Sequence, residues 1–201
     1  STRLPRAIRD VYKRQHLGGA ACALARAWDT THPGSAQLAV EIDAKLAAYV
    51  RQWFDLPRSP RLRIRIDDAV VAAPSLKAQF WDVVVRDIFS GGTVPDSVCT
   101  PEFMHSCMNA LKSEGLFLIN AASAPTSQVQ AQFAALAQIS DFLVISDAAV
   151  ARGKRRGNLV LVARKTGFSA EDFDCLSRAV RKLPLPAQLY RHSDGALSRY
   201  N

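Results

Sequence analysis

"VYKRQHLGGAACALARAW", residues 11–28, sets a pair of glycines between a polar stretch and a helix of small residues. A turn of this kind is where a protein lays its backbone against a nucleotide. Gly18 and Gly19 permit positive φ and close approach, and the helix that opens after them offers free N–H groups to polar or anionic atoms. Such a turn normally follows a buried strand, and a central strand of a parallel sheet is ordinarily an apolar run. Here the preceding residues are Tyr12, Lys13, Arg14 and Gln15, and residues 1–15 carry five basic and one acidic side chain. The expectation is that only His16 and Leu17 remain of a truncated first strand. Residues 1–15 then form a non-native or disordered segment outside the fold, as a truncation joined to unrelated sequence would leave.

Outward from that turn the pattern is regular. From Ala36 onward, short apolar runs alternate with helix-like segments, the mark of an α/β fold with a mainly parallel sheet. Strands are expected at Gln37–Ile42, Leu62–Ile66, Trp81–Arg86, Leu116–Asn120, Phe142–Ser146 and Asn158–Ala163. Helical spacing occupies Ala20–Trp28, Ala44–Trp53, Pro101–Leu111, Ser127–Ile139 and Ala170–Leu183. The last two strands are separated only by "DAAVARGKRRG", residues 147–157, too short for a comfortable helical crossover. They should form an antiparallel hairpin at one edge of the sheet. A parallel run closed in this way is the Rossmann-like, methyltransferase-type sheet rather than the all-parallel dinucleotide-binding one. The reading is one domain over residues 16–183 and a C-terminal tail over residues 184–201.

Composition narrows the function classes. With 201 residues, 48% hydrophobic and 22% charged, the chain can bury a substantial core. No apolar run approaches the roughly 18 residues of a membrane span, and the basic start lacks the apolar stretch of a secretory signal, so a cytoplasmic protein without a membrane partner is expected. Cys22, Cys99, Cys107 and Cys175 form no CxxC pair and read as packed, reduced thiols, with no metal implied. The net charge of +8 is uneven: residues 16–150 carry ten basic and thirteen acidic side chains, residues 151–201 eleven and four. The basic excess sits at the ends without interleaved aromatics, which reads as solvated termini and not as a nucleic-acid surface. The tract Arg152-Gly153-Lys154-Arg155-Arg156 falls in the expected hairpin turn as solvated charge.

In an open α/β sheet, ligands bind beyond the carboxyl ends of the strands, and four features line up there. After Gly18 and Gly19, the second is Glu41, ending "LAVE" about 20 residues downstream. Its carboxylate can accept both hydroxyls of a ribose, or else cap the next helix together with Asp43. Third is Asp67-Asp68-Ala69: Asp68 is placed to accept from an adenine amino group, the neighbouring backbone N–H to donate to a ring nitrogen, and Asp67 to cap the following helix. Fourth is Asp87, just past "WDVVVR", where a transferred group would sit. A carboxylate there would stabilise a sulfonium, or hold or deprotonate an amine nucleophile. Asp82 begins the same strand at the opposite end of the sheet and reads as structural. His16 reads as a satisfied histidine at a strand end, and Asn120 as a strand-end residue that either touches substrate or serves only the strand. Arg86 either pairs with a carboxylate or points into solvent.

"HLGGAACALAR", "AVEIDAKLAAYVRQWF", "RLRIRIDDA", "FWDVVVRDIFSGGTVPDSVCTPEFM" and "ALKSEGLFLIN", in that order, look like the spermidine synthase family within the class I S-adenosylmethionine-dependent methyltransferase fold. The closing "RRGNLVLVA" resembles its spermidine-synthase-like bacterial branch, and the match runs over about residues 16–163. The resemblance implies that Gly18 and Gly19 flank the nucleoside and its methionine-derived chain, that Glu41 binds ribose, that Asp68 with Ala69 meets adenine, and that Asp87 stands at the catalytic aspartate's position. It also implies aminopropyl transfer, in which an amine such as putrescine attacks decarboxylated S-adenosylmethionine and releases methylthioadenosine.

The chain departs from the family in two respects. True spermidine synthases follow the catalytic aspartate with a second aspartate and a Gly-Pro pair that anchor the diamine; here the residues are Ile88-Phe89-Ser90-Gly91-Gly92, and Asp96 substitutes only if the loop folds back. Those enzymes also carry a β-rich N-terminal segment that helps cover the substrates, and none is expected within these 201 residues. The alternatives are therefore a small-molecule methyltransferase using S-adenosylmethionine itself and a non-catalytic nucleoside-binding module. A homodimer is one open assembly.

Overall fold

A computed structural model describes residues 13–59, 61–122, 126–193 and 196–199. The strands are β1 (Lys13–Leu17), β2 (Ala36–Glu41), β3 (Leu62–Ile66), β4 (Trp81–Arg86), β5 (Leu111–Ala122), β6 (Phe142–Ser146), β7 (Asn158–Ala163), β8 (Gln188–Ser193) and β9 (Ala196–Arg199). They form one sheet in the order β3-β2-β1-β4-β5-β7-β6-β8-β9. The pairs from β3 through β5 are parallel, and those from β5 through β9 antiparallel. The helices are α1 (Ala23–Thr31), α2 (Ala44–Trp53), α3 (Ala69–Ala72), α4 (Pro101–Ala110), α5 (Thr126–Ala137), α6 (Ala148–Ala151) and α7 (Ala170–Val180). Their starts follow local chemistry. Asp43 caps α2 by accepting from the N–H groups of Lys45 and Leu46, at 2.8 and 3.0 Å. Ser169 and Asp172 form a reciprocal capping box on α7. Three core clusters result: Phe103, Met104 and Cys107 of α4 meet Phe117 and Ile119 of β5, Phe173 of α7 meets Val83, Val85, Leu116 and Val162, and Ala25 of α1 and Val50 of α2 gather with Ala39 of β2 and Leu62 of β3.

Two expectations are corrected. The first concerns β1, which starts at Lys13 and is paired on both sides, with β2 and with β4, at the centre of the parallel part of the sheet. Residues 13–15 therefore belong to the fold, and the remainder of the supposed foreign segment, residues 1–12, lies outside the described residues. The rule that a central strand is apolar fails because the polar side chains of Arg14 and His16 have partners. Arg14, 2% exposed, donates from Nη1 to Ser35 Oγ and lies 4.7 Å from the centre of the Trp28 ring. Asp82 accepts from the Lys13 N–H at 3.0 Å and pairs with Lys112, which makes it the structural residue expected at that end of the sheet. His16 Nε2 meets Gln37 Oε1 at 3.0 Å, and Gln37 in turn donates to the carbonyl of Ala25 at 2.8 Å.

The second correction is at the C-terminus. β6 and β7 pair antiparallel as their short connection requires, but they are not the edge, because the supposed tail supplies β8 and β9. Leu189 and Tyr190 are buried where β8 covers the open side of β6, and the His192 ring stacks on Phe142 at 4.5 Å.

Burial, opposed by the bond to Gln37 and reinforced by nearby Arg14, lowers the pKa of His16 from 6.5 to about 4. Folding therefore excludes a proton that the unfolded chain takes up below its ordinary pKa. The contribution of neutral His16 is complete above about pH 6.5 and is lost as pH falls to about 4, amounting to about 3 kcal/mol. Urea unfolding at pH 7 and pH 5 should show a smaller loss of stability for His16→Gln than for the parent; an equal loss in both would place the titration elsewhere.

Candidate functional site

The four features that line up in the sequence stand at the carboxyl ends of β1 to β4, around one hollow of about 560 Å³ lined by Gly18, Gly19, Glu41, Asp68, Ala69 and Asp87. The turn after β1 shapes one side. Gly18 has φ +90°, and a Cβ on it would stand 2.2 Å from the carbonyl oxygen of Asp87. Only glycine lets β1 and β4 end this close together. The N–H groups of Gly18 and Gly19 both reach the carbonyl of Val40, at 3.1 and 2.9 Å. The strain continues in Ala20 and Cys22, at φ 39° and 55°, left-handed conformations that cost non-glycine residues on the order of 1–3 kcal/mol.

Glu41 holds that strained turn. Its Oε2 accepts the Ala20 N–H at 2.7 Å, and its Oε1 accepts the Asp43 N–H at 2.9 Å. Of the two roles open to Glu41, capping α2 is performed by Asp43 alone. Each Glu41 oxygen retains acceptor capacity toward the hollow, since a carboxylate offers about four lone-pair sites.

At the end of β3 the capping assignment is reversed from the expectation. Asp68 caps α3, its Oδ1 accepting the Val70 N–H at 2.8 Å. Asp67 instead pairs with Arg65 and accepts the Asp68 N–H at 2.9 Å. Both residues line the hollow, and among the described residues the cap engages only Oδ1 of Asp68, which leaves Oδ2 for a ligand.

Asp87 is exposed just past β4, anchored by its N–H to the carbonyl of Leu17 at 2.9 Å. Asn120 Nδ2 donates to its Oδ1 at 2.9 Å. Asn120 is thus a holder of the carboxylate, a role its place at a strand end did not reveal. Arg86 neither joins a carboxylate nor reaches solvent: it is fully buried and donates to the carbonyl of Asn120 and to Gln132 Oε1, at 3.1 and 2.5 Å. The loop beyond Asp87 closes on itself, Ser90 and Thr93 exchanging backbone hydrogen bonds of 2.8 and 3.1 Å across Gly91 and Gly92. Asp96 is not brought to the hollow; its Oδ1 accepts from Gln128 Nε2 at 3.0 Å. Gln128 and Gln132 are the site's neighbours that the sequence reading missed, since a helix glutamine carries no signal of its partner. Among the described residues no group of three or more His, Cys, Asp or Glu is placed to hold a metal ion, and no helix is long and apolar enough to cross a membrane.

No family model matches the chain. Over 105 residues it is 32% identical to the polyamine aminopropyltransferase of Neisseria meningitidis serogroup A, a stretch covering 52% of this chain and 39% of that protein. The chain therefore matches about two fifths of that relative's length. Among solved structures it superposes on a probable spermidine synthase from Corynebacterium glutamicum with TM-score 0.82 and 31% identity, over 94% of this chain and 72% of that one. It also superposes on human methyltransferase-like protein 13 in complex with SAH, with TM-score 0.71 and 20% identity, over 92% and 89%. At that identity the likeness is one of fold.

Proposed function

The chain belongs to the spermidine synthase family, and from this premise we propose that its hollow binds an S-adenosylmethionine-type nucleoside and transfers the aminopropyl group of the decarboxylated form to an amine. The observation that carries the reading is the convergence of Glu41, Asp68 and Asp87, from the ends of three strands, on the one hollow opened by Gly18 and Gly19. In this reading Glu41 accepts the ribose diol while its other lone pairs keep the turn closed. Asp68, with Ala69, meets the adenine edge. The backbone of the Gly18–Gly19 turn borders the sulfur-bearing chain.

Asp87 supplies the charge. The amine lone pair attacks the aminopropyl carbon next to sulfur, a carbon–nitrogen bond forms, and the carbon–sulfur bond breaks with its electron pair returning to sulfur. The cationic sulfonium becomes the neutral thioether methylthioadenosine, and the Asp87 carboxylate takes up the amine's proton before passing it to solvent. Most of the acceleration comes from holding nitrogen, carbon and sulfur in line.

A second reading is favoured by one feature. Where a second acid would hold the far ammonium of a diamine such as putrescine, Ser90 lies in a self-closed turn and Asp96 is engaged by Gln128. A small-molecule methyltransferase using the same nucleoside pocket would need no such acid.

Thermal unfolding with added nucleoside tests the shared part of both readings. Methylthioadenosine at 100 times its dissociation constant should raise stability by about 2.7 kcal/mol, and NAD should give no shift. Supplying each cofactor with a panel of amines then separates the two: methylthioadenosine among the products supports aminopropyl transfer, S-adenosylhomocysteine the rival. A shift with NAD and none with methylthioadenosine would overturn both.

A further inference from the structure

Arg86 is a buried cation with an unusual set of contacts. Burial lowers its pKa to about 10, with Cys99, Cys107 and Asp87 acting against that, so it is charged at neutral pH. Among the described residues it forms no ion pair. Its Nη2 spans two elements, the carbonyl of Asn120 at the end of β5 and Oε1 of Gln132 on α5. Its Nε and Nη1 have no hydrogen-bond partner among the described residues. A guanidinium held under strand ends at such cost invites the question of what it fixes.

The chain of contacts gives an answer in both directions. Toward the site, the carbonyl that Arg86 grips belongs to Asn120, whose Nδ2 holds Asp87 Oδ1 at 2.9 Å. Away from it, Gln132, itself fully buried, donates from Nε2 to the carbonyl of Gln128 one turn earlier, at 3.3 Å. Gln128 Nε2 then reaches across to the carbonyl of Val94 at 2.6 Å and to Asp96 Oδ1 at 3.0 Å. Pro95, Ser97 and Val98 of that same loop form a wall of the nucleoside hollow. One helix therefore grips the wall of the pocket through Gln128 and, through Gln132 and Arg86, the holder of Asp87, with Arg86 the link between strand and helix.

We propose that Arg86 is a positioning residue which, through Asn120 on one side and Gln132 and Gln128 on the other, locks the Val94–Val98 wall to the strand end that carries Asp87. Setting the pocket wall and aiming the carboxylate then become one event. This deepens the transferase reading and rests on it for the part played by Asp87, whereas the mechanical link between wall and strand end stands without it.

Two variants test the link. Arg86→Met with Gln132→Leu exchanges the buried polar pair for apolar side chains of similar volume, an exchange that buried polar pairs commonly tolerate. The side-chain hydrogen bonds of the two residues go to Asn120, to each other and to Gln128, not to the 94–98 loop. Gln128→Ala cuts the outer end at a half-buried position. Amide exchange in the ligand-free protein should speed up at residues 94–98 by about tenfold in both variants, the equivalent of about one net hydrogen bond, with β6 and β8 exchanging as in the parent. Methylthioadenosine affinity should fall by about five- to tenfold in both, and kcat should fall about tenfold further in the double variant, which alone frees Asn120.

Unchanged exchange at residues 94–98 in the double variant would overturn the link, as would a uniform rise across β6 and β8. Equal kcat in the two variants would overturn the positioning of Asp87. A parent protein that does not bind methylthioadenosine defeats the nucleoside reading instead, and the exchange comparison still decides whether Arg86 couples wall to strand.

Discussion

Asp87→Asn should lower transfer turnover by about 10²–10⁴-fold, the range that a positioned proton acceptor contributes, and leave methylthioadenosine affinity within about twofold. The two effects separate because of where the side chain stands. Its Oδ1 is taken by Asn120, and an asparagine oxygen can accept that same bond, so the loop and its anchor to Leu17 remain. On the proposed mechanism, what disappears is the negative charge beside the sulfonium and the base that receives the amine's proton. Methylthioadenosine has no sulfonium and should not register the change. Product formation followed against nucleoside titration reads both quantities in one preparation. If turnover is retained, Asp87 is not the proton acceptor; if affinity is lost together with turnover, the residue shapes the pocket instead.

Glu41→Gln, nearly isosteric, should unfold at lower urea concentration by the equivalent of about 2–4 kcal/mol, and should weaken methylthioadenosine by about 10²-fold or more. The reason is that both carboxylate oxygens already accept backbone N–H groups, from Ala20 and from Asp43. A glutamine has one oxygen to offer, so its amide nitrogen must face a donor and one N–H loses its partner. Ala20 and Cys22 are held in left-handed conformations at this turn, so the released strain should open it. A ribose diol would lose its charged acceptor at the same time. Glu41→Ala should behave at least as severely. A Glu41→Gln protein as stable as the parent would show that Ala20 and Asp43 find other acceptors, and one that binds methylthioadenosine equally well would remove Glu41 from the ribose.

The fold was legible wherever periodicity carried the signal. β3, β4, β6 and β7 lie where alternating or continuous apolar runs placed them, and α2 starts at its capping Asp43. The antiparallel return of β7 followed from the length of its connection. The convergence of Glu41, Asp68 and Asp87 was legible because it depends only on which residue ends each strand.

Partnership was not legible. Arg14 and His16 look unfit for a central strand until Trp28, Ser35 and Gln37 are seen beside them, and those contacts join residues that no local pattern connects. Gln188–Ser193 has few apolar residues and reads as tail until the open side of β6 is present to pair with it. The division of labour between Asp67 and Asp68 turned on the backbone path entering α3, which a pair of adjacent acids does not reveal. Arg86, Gln128 and Gln132 stayed hidden for the same reason: each is an ordinary residue made consequential by a distant neighbour.

The wetting of β1 by charge and amide also settles how the sheet is aligned. Side chains along a strand alternate between faces, so a slip of one residue would send Arg14 and His16 to the side now occupied by Gln15 and Leu17. There they would find none of the acceptors that Ser35 and Gln37 provide. An all-valine strand would tolerate such a slip and still bury its surface. This one has a single comfortable alignment, and because the Gly18 turn begins at its last residue, that alignment also fixes the height at which the glycine edge meets Asp87.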